Sequence, residues 1–316
     1  MSVGCGGVRL ELGGMITPAV EEAFGEAAGM AAGEVERQYV RGLLDRVRHG
    51  ELGLFVLSGG WDVAGAACYR SVDGEAELVF GFLRLPYAGA ERAFLEQIVA
   101  ALARSGAGVV RSGFAWPSSA RFIAAAKGLG FSSVRRISMS IDVDEGSRPS
   151  YVPVPGLSVH PWSPLHFEEA ARIMYEESVP ADRRLYPMFG SSAGARRLLL
   201  SIVQGQHGAF APETSAVCEA GGAGREDPAR IVGFVLTSTV ADGSLLVLDI
   251  AVRQAYRRRG AGTKLLEYLL ARAAVLGKRQ IVLAVTADNE PAIRLYKKVG
   301  FRQASMFDQY VLTIPQ

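Results

Sequence analysis

The sequence predicts an α/β protein, of the α+β type, built from two similar halves. Three observations support this prediction. The chain has 316 residues, which is the length of about two domains. Strand-like and helix-like hydrophobic periods alternate along the chain, in the same order in both halves. Matching residues recur about 170 positions apart, which indicates an internal duplication.

Each half is expected to contain a short strand, one or two helices, three strands, a helix, a strand, a helix and a terminal pair of strands. The pairs that show the duplication are Gly65 with Gly233, Leu95 with Leu266, Glu96 with Glu267, and Gly130-Phe131 with Gly300-Phe301. Between the halves, Glu145–Gly156 is rich in Pro, Gly and Ser and is interpreted as a linker. The predicted domains are therefore residues 1–150 and 151–316.

Composition and charge exclude several classes of protein. Hydrophobic residues make up 49% and charged residues 21% of the chain, which is typical of a globular protein. The net charge of +2 gives no overall field that would hold nucleic acid or an anionic membrane. No membrane span is expected, because the longest charge-free stretch, Ser150–Phe167, is interrupted by prolines.

Cysteine and histidine usage predicts neither disulfides nor a metal site. The three cysteines are far apart without a CxxC pair, and the four histidines lack the spacing of metal ligands. The N-terminal residues do not resemble a secretory signal, so a cytoplasmic location is expected. The oligomeric state does not follow from the sequence.

The clearest elements lie in the second half. Gly243–Val252 is a nearly continuous apolar run, typical of a central strand that is covered on both faces. Thr263–Val275 carries apolar residues at helical spacing and is expected to pack against that strand. Gln280–Thr286 predicts a second buried strand, and Asn289–Val299 predicts a short helix that ends at Gly300.

The loop before the first of these helices is a candidate anion site. Arg257–Gly262 has the sequence RRRGAG and leads into a helix N-terminus, where unpaired N–H groups and the helix dipole favour an anion. Gly260 and Gly262 allow the backbone to approach a ligand closely. A diphosphate would fit, with the three arginines as a positive rim. The alternative is a solvated basic turn.

The short helix near the C-terminus carries a candidate acid. Asn289, Ala292 and Tyr296 share one helix face because they are spaced at i, i+3 and i+7. The ordinary pKa of a phenol is about 10, so Tyr296 would be protonated at neutral pH and able to protonate a departing thiolate with a pKa of about 8.5. The alternative is an amphipathic helix whose tyrosine belongs to the core.

Together these features resemble the GNAT superfamily of acyl-CoA-dependent N-acyltransferases. The family pattern is R-x-x-G-x-G/A between a strand and a helix, then a strand, then an N-x-x-A-x-x-x-Y helix closed by G-F. The matching residues are Arg257, Gly260, Gly262, Asn289, Ala292, Tyr296, Gly300 and Phe301. The resemblance is strong over Leu157–Leu312 and weak in the first half. It implies two tandem GNAT folds, each a mixed, mostly antiparallel central sheet with helices on both faces, as in mycothiol synthase relatives.

The resemblance also implies the reaction, in which an amine attacks the acetyl group of acetyl-CoA directly in a ternary complex. The acceptor would be a small-molecule or peptide amine. The fourth strand would lie along the pantetheine arm and splay from the next strand, the arginine-rich loop would bind the pyrophosphate, and Tyr296 would protonate the thiolate. The implied coenzyme A contacts are Ile250, Ala251, Val252, Arg257, Arg258, Arg259, Gly260, Ala261, Gly262, Thr263 and Asn289.

Asp249 is the candidate base. An alkylammonium with a pKa of about 10 must lose a proton before it can attack. Asp249 is the only carboxylate in the strand LLVLDIAV, and it could accept that proton directly or through water. Strand alternation groups it with Val247 and Ala251, although a bulge that the family has in this strand leaves its orientation open. The alternative is a hydrogen-bonded structural carboxylate.

The first half departs from the family pattern at both functional points. After Tyr87 it is two residues shorter than the second half and has no R-x-x-G-x-G sequence. Ala126 and Ser119 stand where the second half has Tyr296 and Asn289. This copy is expected to be degenerate, retained for packing or to wall the acceptor site.

Two other functions stay open. A non-catalytic acyl-CoA-binding regulatory protein would keep the arginine-rich loop without needing Tyr296. The sequence GSSAG at Gly190–Gly194 formally matches the nucleophile elbow of serine hydrolases. The segment before it is charged and contains Pro187, so Ser191 or Ser192 is interpreted as a helix N-cap instead.

The acceptor site is the least determined part. In the family it is shaped by the first helices and the loop after them, here residues 167–192. Acidic and aromatic side chains in that segment could attract a cationic amine: Glu176, Glu177, Asp182, Tyr175 and Tyr186. For Glu176 and Glu177 the alternative is a solvated helix face.

Overall fold

The chain folds into two compact units, unit 1 with residues 1–134 and 308–316 and unit 2 with residues 135–307. The computed structural model describes residues 8–12, 14–30, 33–59, 62–72, 74–114, 116–143, 154–221, 230–240 and 242–314. The boundary predicted near Ser150 and residues 145–153 of the predicted linker lie outside the described residues. The domain limits 1–150 and 151–316 therefore stay predictions.

Unit 1 is a mostly antiparallel sheet with helices. Its strands are β1 (Val8–Leu12), β2 (Gly53–Gly59), β3 (Asp62–Val72), β4 (Glu75–Leu83) and β5 (Val109–Ser112). Its helices are α1 (Pro18–Gly29), α2 (Glu34–Arg48), α3 (Glu91–Arg104) and α4 (Ser119–Gly128). The strands neighbour one another in chain order, and the pair β4–β5 is parallel. Phe24 of α1, Phe55 of β2 and Phe94 of α3 are buried in its core.

Unit 2 repeats this arrangement. It contains most of β6 (Ser132–Asp142) and the first half of β13 (Arg302–Thr313). Its other strands are β7 (Leu157–Pro161), β8 (Ala209–Phe210), β9 (Ala216–Ala220), β10 (Arg230–Thr239), β11 (Leu245–Val252) and β12 (Gln280–Thr286). Its helices are α5 (Phe167–Glu177), α6 (Pro180–Leu185), α7 (Ser192–Val203), α8 (Ala261–Val275) and α9 (Glu290–Val299). The order β6-β12-β11-β10-β9-β7 contains one parallel pair, β11–β12.

The last strand of each sequence half was not predicted correctly. A pair of strands was expected at the end of each half, but each half ends in one long strand, β6 or β13. Residues 135–142 of β6 belong to unit 2, where they pair with β12. Residues 308–313 of β13 belong to unit 1, where they pair with β5. A strand is recognised from its own residues, whereas its partner is selected only in three dimensions.

Helices cover both faces of the sheet of unit 2, as the fold prediction requires. Successive side chains of a strand point to opposite faces. Cys218 and Val235 pack in the apolar cluster that contains α8 and α9. Their neighbours Val217 and Phe234 pack in a different cluster with α5 and α7. Both faces of the central strands are therefore buried, which explains their continuous apolar sequences.

The predicted elements of the second half are confirmed with small shifts. Strand β12 has the predicted bounds, and β11 begins at Leu245. Helix α8 begins two residues earlier than predicted, at Ala261, because Gly260 takes the left-handed conformation that turns the chain into the helix. Helix α9 is capped by Asn289 and ends at Gly300, whose φ of 110° is also left-handed.

Candidate active site

Strands β11 and β12 separate over most of their length. They pair only at Leu245 with Ile281 and Leu246 with Val282. On its other side, β12 pairs with β6 along all of its residues, from Gln280 to Thr286. The edge of β11 after Leu246 is therefore left without a strand partner in the described part of unit 2. This separation is the splay that the family resemblance implies, and its free backbone edge can pair with an extended ligand.

A β-bulge at Leu248 sets the direction of Asp249. In the register with β10, Leu236 faces Asp249 and Thr237 faces Val247, so Leu248 is the extra residue. Val247 packs with the α8 cluster, whereas Ala251 packs with the α5 and α7 cluster. The strict alternation that grouped Asp249 with both residues is therefore wrong, because the bulge reverses the side-chain order between them.

A cavity of about 200 Å³ lies where the two strands separate. Its lining combines β11, β12, the segment from α6 to α7, the start of α9 and one residue of β6. The lining residues that bear on the chemistry are Arg136, Asp182, Tyr186, Phe189, His207, Leu248, Asp249, Ile250, Thr286, Asn289 and Tyr296. Four predicted site residues therefore meet in one cavity: Asp249, Ile250, Asn289 and Tyr296.

The surroundings of Asp249 raise the pKa of its carboxyl group. Burial, and then the nearby Asp182 carboxylate, raise its pKa to about 7, while the N–H of Ile250 acts in the opposite direction. A carboxyl group with a pKa near neutrality exists in both forms at physiological pH. It can therefore accept a proton and release it again within one catalytic cycle.

Tyr296 faces the same cavity from α9. Its side chain is buried, with the residue 6% exposed, and its ring centroid lies 5.8 Å from that of Phe301. Burial raises the pKa of its phenol, and the carboxylates of Asp249 and Asp182 raise it further, against an opposing contribution from Arg136. The phenol is therefore protonated at neutral pH, which is the form that a proton donor needs.

Asn289 has a structural role at this edge as well as a place in the cavity lining. Its side-chain Oδ1 accepts a hydrogen bond of 3.3 Å from the N–H of Ala292 and so caps α9. This cap fixes the first turn of the helix that carries Tyr296.

The arginine-rich loop ends in a backbone geometry that suits an anion. Arg258 and Gly260 have φ values of 60° and 96°, both left-handed, and such turns point successive N–H groups into a shared concavity. Helix α8 starts directly afterwards, and no side chain caps its N-terminus. At Gly262 a Cβ atom would come within 2.9 Å of Leu295 Cδ2, so α8 and α9 approach closely because this residue is glycine.

The first arginine of the loop is engaged with the protein itself. Arg257 Nη2 lies 2.6 Å from Glu177 Oε2, and its Nε donates to the carbonyl of Val252 at 3.0 Å. The other oxygen of Glu177 accepts from the N–H of Gln254 at 3.0 Å. Arg259 stacks over the ring of Tyr256. Arg257 thus supports the loop through contacts with the protein itself.

Of the predicted acceptor residues, the structure brings only Asp182 and Tyr186 to the cavity. Glu176 forms an ion pair with Arg253, and Glu177 pairs with Arg257. These two glutamates hold α5 to the loop that precedes α8. The sequence had suggested either an amine-binding role or a solvated helix face for Glu176 and Glu177. Their ion pairs with arginines correspond to neither.

A buried polar cluster at the end of β12 was not predicted from the sequence. Arg136 Nη1 lies 3.2 Å from Asp182 Oδ1 and 3.0 Å from Thr286 Oγ1, and Arg136 Nη2 donates to the carbonyl of Ala284 at 2.8 Å. Thr286 Oγ1 donates to Asp182 at 2.8 Å. Arg136 precedes the predicted domain boundary, so its sequence position gave no signal for this site.

In unit 1 the corresponding places are filled by the protein. The Glu91 side chain, 5% exposed as a residue, accepts from the N–H of Gly89 at 2.9 Å and so puts a carboxylate at the start of α3. Trp116 is buried against β4, where a Cβ at Gly81 would come within 2.7 Å of the indole. Its ring centroid lies 5.0 Å from that of Phe114. These contacts agree with the expected degeneracy of the first copy.

The GSSAG segment has the local structure of a helix N-terminus. Ser191 is the N-cap of α7, because its Oγ accepts from the N–H of Gly194 at 3.0 Å. The chain before it is a 3₁₀ turn, Pro187–Gly190, and no buried strand precedes it as a nucleophile elbow requires. Within the described ranges no group of His, Cys, Asp and Glu is arranged to hold a metal ion. The helices in these ranges are also too short or too polar to span a membrane.

Comparison with known proteins agrees with this geometry. Residues 198–301 match the model of the Acetyltransferase (GNAT) family. Over 84 residues the chain is 37% identical to the ribosomal protein bS18-alanine N-acetyltransferase of Salmonella typhimurium, which corresponds to 27% of this chain and 56% of that protein. The chain thus spans little more than half of that relative.

Solved structures with the same fold cover nearly the whole chain. A GCN5-related N-acetyltransferase from Sphaerobacter thermophilus superposes with a TM-score of 0.63 at 18% identity, covering 98% of this chain and 96% of that one. A tandem GNAT protein from the clavulanic acid biosynthesis pathway gives 0.54 at 14% identity, covering 98% and 100%.

The protein therefore has a mixed α/β fold, with a mostly antiparallel sheet flanked by helices, like that of these solved structures. Residues 198–301, in the second half of the chain, are similar to the GNAT acetyltransferase family.

Proposed function

We propose that the protein is an N-acetyltransferase that transfers the acetyl group of acetyl-CoA to an amine in a ternary complex. The observation that carries the proposal is that Asp249 and Tyr296 face one cavity at the point where β11 and β12 separate. A base and an acid on one cavity are what direct aminolysis of a thioester needs. A cytoplasmic location is part of the proposal, since Cys68 and Cys218 are free thiols.

The donor would be held mainly by backbone groups. The N–H groups of residues 258–263, at the uncapped start of α8, suit the two phosphates of coenzyme A. The unpaired edge of β11 at Ile250, Ala251 and Val252 suits the amide-containing pantetheine arm. The close approach of α8 and α9 at Gly262 supports the fit, because a larger side chain there would fill the space between them.

Asp249 would prepare the acceptor. An ammonium group entering the cavity transfers a proton to the Asp249 carboxylate, directly or through one water, and the freed lone pair attacks the acyl carbon. A new C–N bond forms as the C–S bond breaks, so no covalent enzyme intermediate is needed. With a pKa of about 7, Asp249 is a stronger base than an ordinary carboxylate, which is the direction that this step requires.

Tyr296 would complete the exchange by donating its phenolic proton to the departing thiolate. Burial raises the pKa of this phenol. The same burial would raise the pKa of the thiol that leaves in this cavity, so the thiolate remains able to accept the phenolic proton. The products are an amide and coenzyme A with a free thiol. The acylated nitrogen would lose its second proton to the Tyr296 phenolate, directly or through water, and Asp249 would release its proton to solvent, so that both groups return to their starting forms.

The donor site can be tested by crowding it. We expect Gly262→Val to weaken acetyl-CoA binding about tenfold, because the added side chain meets Leu295 and the first-turn amides. At 100 times the wild-type Kd, acetyl-CoA should stabilise the wild type by about 2.7 kcal/mol and the variant by about 1.4 kcal/mol. Thermal unfolding with and without ligand measures both values. Gly25→Ala, where no atom lies near the new Cβ, is the matched control.

The reaction itself is tested by thiol release from acetyl-CoA across a panel of amines. The panel should contain small amines and peptides with a free N-terminus, because the bS18-alanine N-acetyltransferase is named for a protein alanine. Acetyl-CoA-dependent acetylation of one class confirms the enzyme. Tight binding of acetyl-CoA without turnover on any amine would favour a non-catalytic acyl-CoA-binding regulatory protein instead. If the wild type does not bind acetyl-CoA, both the enzyme and the regulatory protein are overturned.

Unit 1 is expected to contribute no second donor site. Trp116→Ala should lower the free energy of unfolding by about 3–5 kcal/mol through the cavity that it leaves. Calorimetric titration should still give one acetyl-CoA per chain, since Glu91 continues to occupy the start of α3. Trp116→Phe serves as the milder control. A stoichiometry of two in the wild type would show that the first copy is not degenerate.

A further inference from the structure

Arg136 lies where the first half of the sequence enters the catalytic cavity. Strand β6 is antiparallel to β12, and its register runs from Asp142 opposite Gln280 to Arg136 opposite Thr286. Thr286 is the last residue of β12 and is 2% exposed. Arg136 therefore stands at the end of β12, beside the opening that separates this strand from β11.

The guanidinium of Arg136 joins three elements. It contacts Asp182 of α6, the Thr286 hydroxyl of β12 and the backbone carbonyl of Ala284. The residue is 8% exposed, so its charge is balanced by the protein rather than by solvent. Asp182 receives hydrogen bonds from both Arg136 and Thr286 on the same oxygen, which fixes its direction within the cavity.

The element that Arg136 holds is the segment from Ser178 to Ser191, here called the α6 segment. It contributes Asp182, Tyr186 and Phe189 to the cavity lining. Its helix has only six residues, too few to be stable without tertiary contacts. Other parts of the segment are held by local bonds, such as that of Ser178 Oγ to the carbonyl of Tyr175 at 3.0 Å, and by apolar packing of Met188 and Phe189. The Arg136 cluster ties this segment to the sheet.

We propose that Arg136 is a positioning residue for the acceptor amine. It fixes the α6 segment over the cavity and holds the Asp182 carboxylate beside Asp249, so that an incoming ammonium meets two carboxylates in set positions. It acts through Asp182 and touches neither the thioester nor the loop at residues 257–263. The inference rests on the proposed function and adds that the acceptor site is completed by a strand of the first sequence half.

Several charged and titratable groups lie around Arg136 and Asp182. Asp182 faces Arg136 from α6, Asp249 faces the cavity from β11, Tyr296 faces it from α9, and His207 faces it from the chain before β8. Arg136 is the cation among these groups that is bonded to Asp182. Replacing it leaves the half-buried Asp182 carboxylate without its ion-pair partner, with Thr286 as a remaining donor, and loosens the α6 segment.

Arg136→Gln is the decisive variant, because it removes the positive charge and the guanidinium group while it keeps most of the side-chain volume. We expect kcat/KM for the amine to fall about 10–100-fold through a higher amine KM. The Kd and KM for acetyl-CoA should stay within about twofold, since the donor contacts lie elsewhere. Arg136→Lys should be intermediate, because an ammonium cannot reach three acceptors in one plane. Arg135→Gln makes the same charge change at the exposed neighbouring position and should match the wild type.

Two further measurements separate positioning from a general loss of structure. Hydrogen exchange of residues 178–191 should increase in Arg136→Gln, whereas exchange of β11 and α8 should not. In a double-mutant cycle with Asp182→Asn, the combined variant should be hardly worse than Asp182→Asn alone, because Arg136 acts through Asp182. If Arg136→Gln does not fold, Arg136→Lys and Asp182→Asn carry the same comparison.

The outcomes are distinct. Equal losses for amine and acetyl-CoA, additive effects in the cycle, or an unchanged amine KM in a folded Arg136→Gln would overturn the positioning role while the wild type still acetylates amines. A wild type that binds acetyl-CoA but acetylates no amine would instead overturn the proposed function, on which the positioning role depends.

Discussion

Tyr296→Phe is expected to lower kcat for thiol release about 10²- to 10³-fold, with acetyl-CoA binding nearly unchanged. The variant loses one hydroxyl group and keeps the ring that packs against Phe301, so fold and donor site are retained. Proton donation by a positioned side chain contributes about 10²–10⁴-fold to a rate. Steady-state thiol release and a binding titration on the same samples measure the two quantities.

The control for this variant is Tyr268→Phe. Tyr268 is a half-buried tyrosine of α8 whose pKa is also raised by burial, but it does not line the cavity. Its loss should leave turnover unchanged. A Tyr296→Phe protein with full turnover would remove the acid from the mechanism and would direct attention to water as the proton source.

Asp249 should give the enzyme a pH dependence with a midpoint near 7. Burial, and then Asp182, raise the pKa of this carboxyl to about 7. A base acts in its deprotonated form, so kcat/KM should be highest above the midpoint and should fall about tenfold for each pH unit below it. Asp249→Asn should lose at least about 10²-fold in kcat/KM and show no such acid limb.

The stability of Asp249→Asn gives an independent check with the opposite sign. A carboxyl group whose pKa is higher in the folded than in the unfolded state binds more protons when folded, so the native state loses stability as the pH rises from about 4 to about 7. The variant lacks that penalty and should unfold at a higher temperature than the wild type at pH 8. Asp242→Asn, at an exposed turn, is the control for charge removal. If the variant kept both activity and acid limb, another group would be the base.

Asp182 influences the acid limb of the pH profile that is expected from Asp249. Its carboxylate raises the pKa of Asp249, so Asp182→Asn should move the midpoint to lower pH. This shift and the amine KM measured for the same variant report on two different contacts of one side chain.

The local elements of the second half were predictable because each has a signal within a few residues. The apolar run of β11, the helical spacing of α8 and the asparagine and glycine that bound α9 all appear in the structure. The first copy was predicted to be degenerate because it lacks the family residues, but the sequence did not show that Glu91 lies at the start of α3 or that Trp116 packs on β4. That outcome depends on which side chains lie near the start of α3 and the face of β4.

The orientation of Asp249 could not be predicted from the sequence. Alternation alone gave a grouping that the bulge at Leu248 reverses, and a bulge is defined by the partner strand as much as by the strand itself. The partners of Glu176 and Glu177 were likewise not predictable, since Arg253 and Arg257 lie more than 70 positions away.

The sequence by itself determined the class of fold, its duplication, the loop that suits a diphosphate and the tyrosine that can act as an acid. These properties depend on residue type and short spacing, which fix backbone geometry and protonation locally. Only the tertiary structure decided that Arg136 joins Asp182 and Thr286 beside Asp249. Strand pairing brings residues together across any length of chain, so the groups that shape the acceptor end are set by which edges meet and not by their order in the sequence.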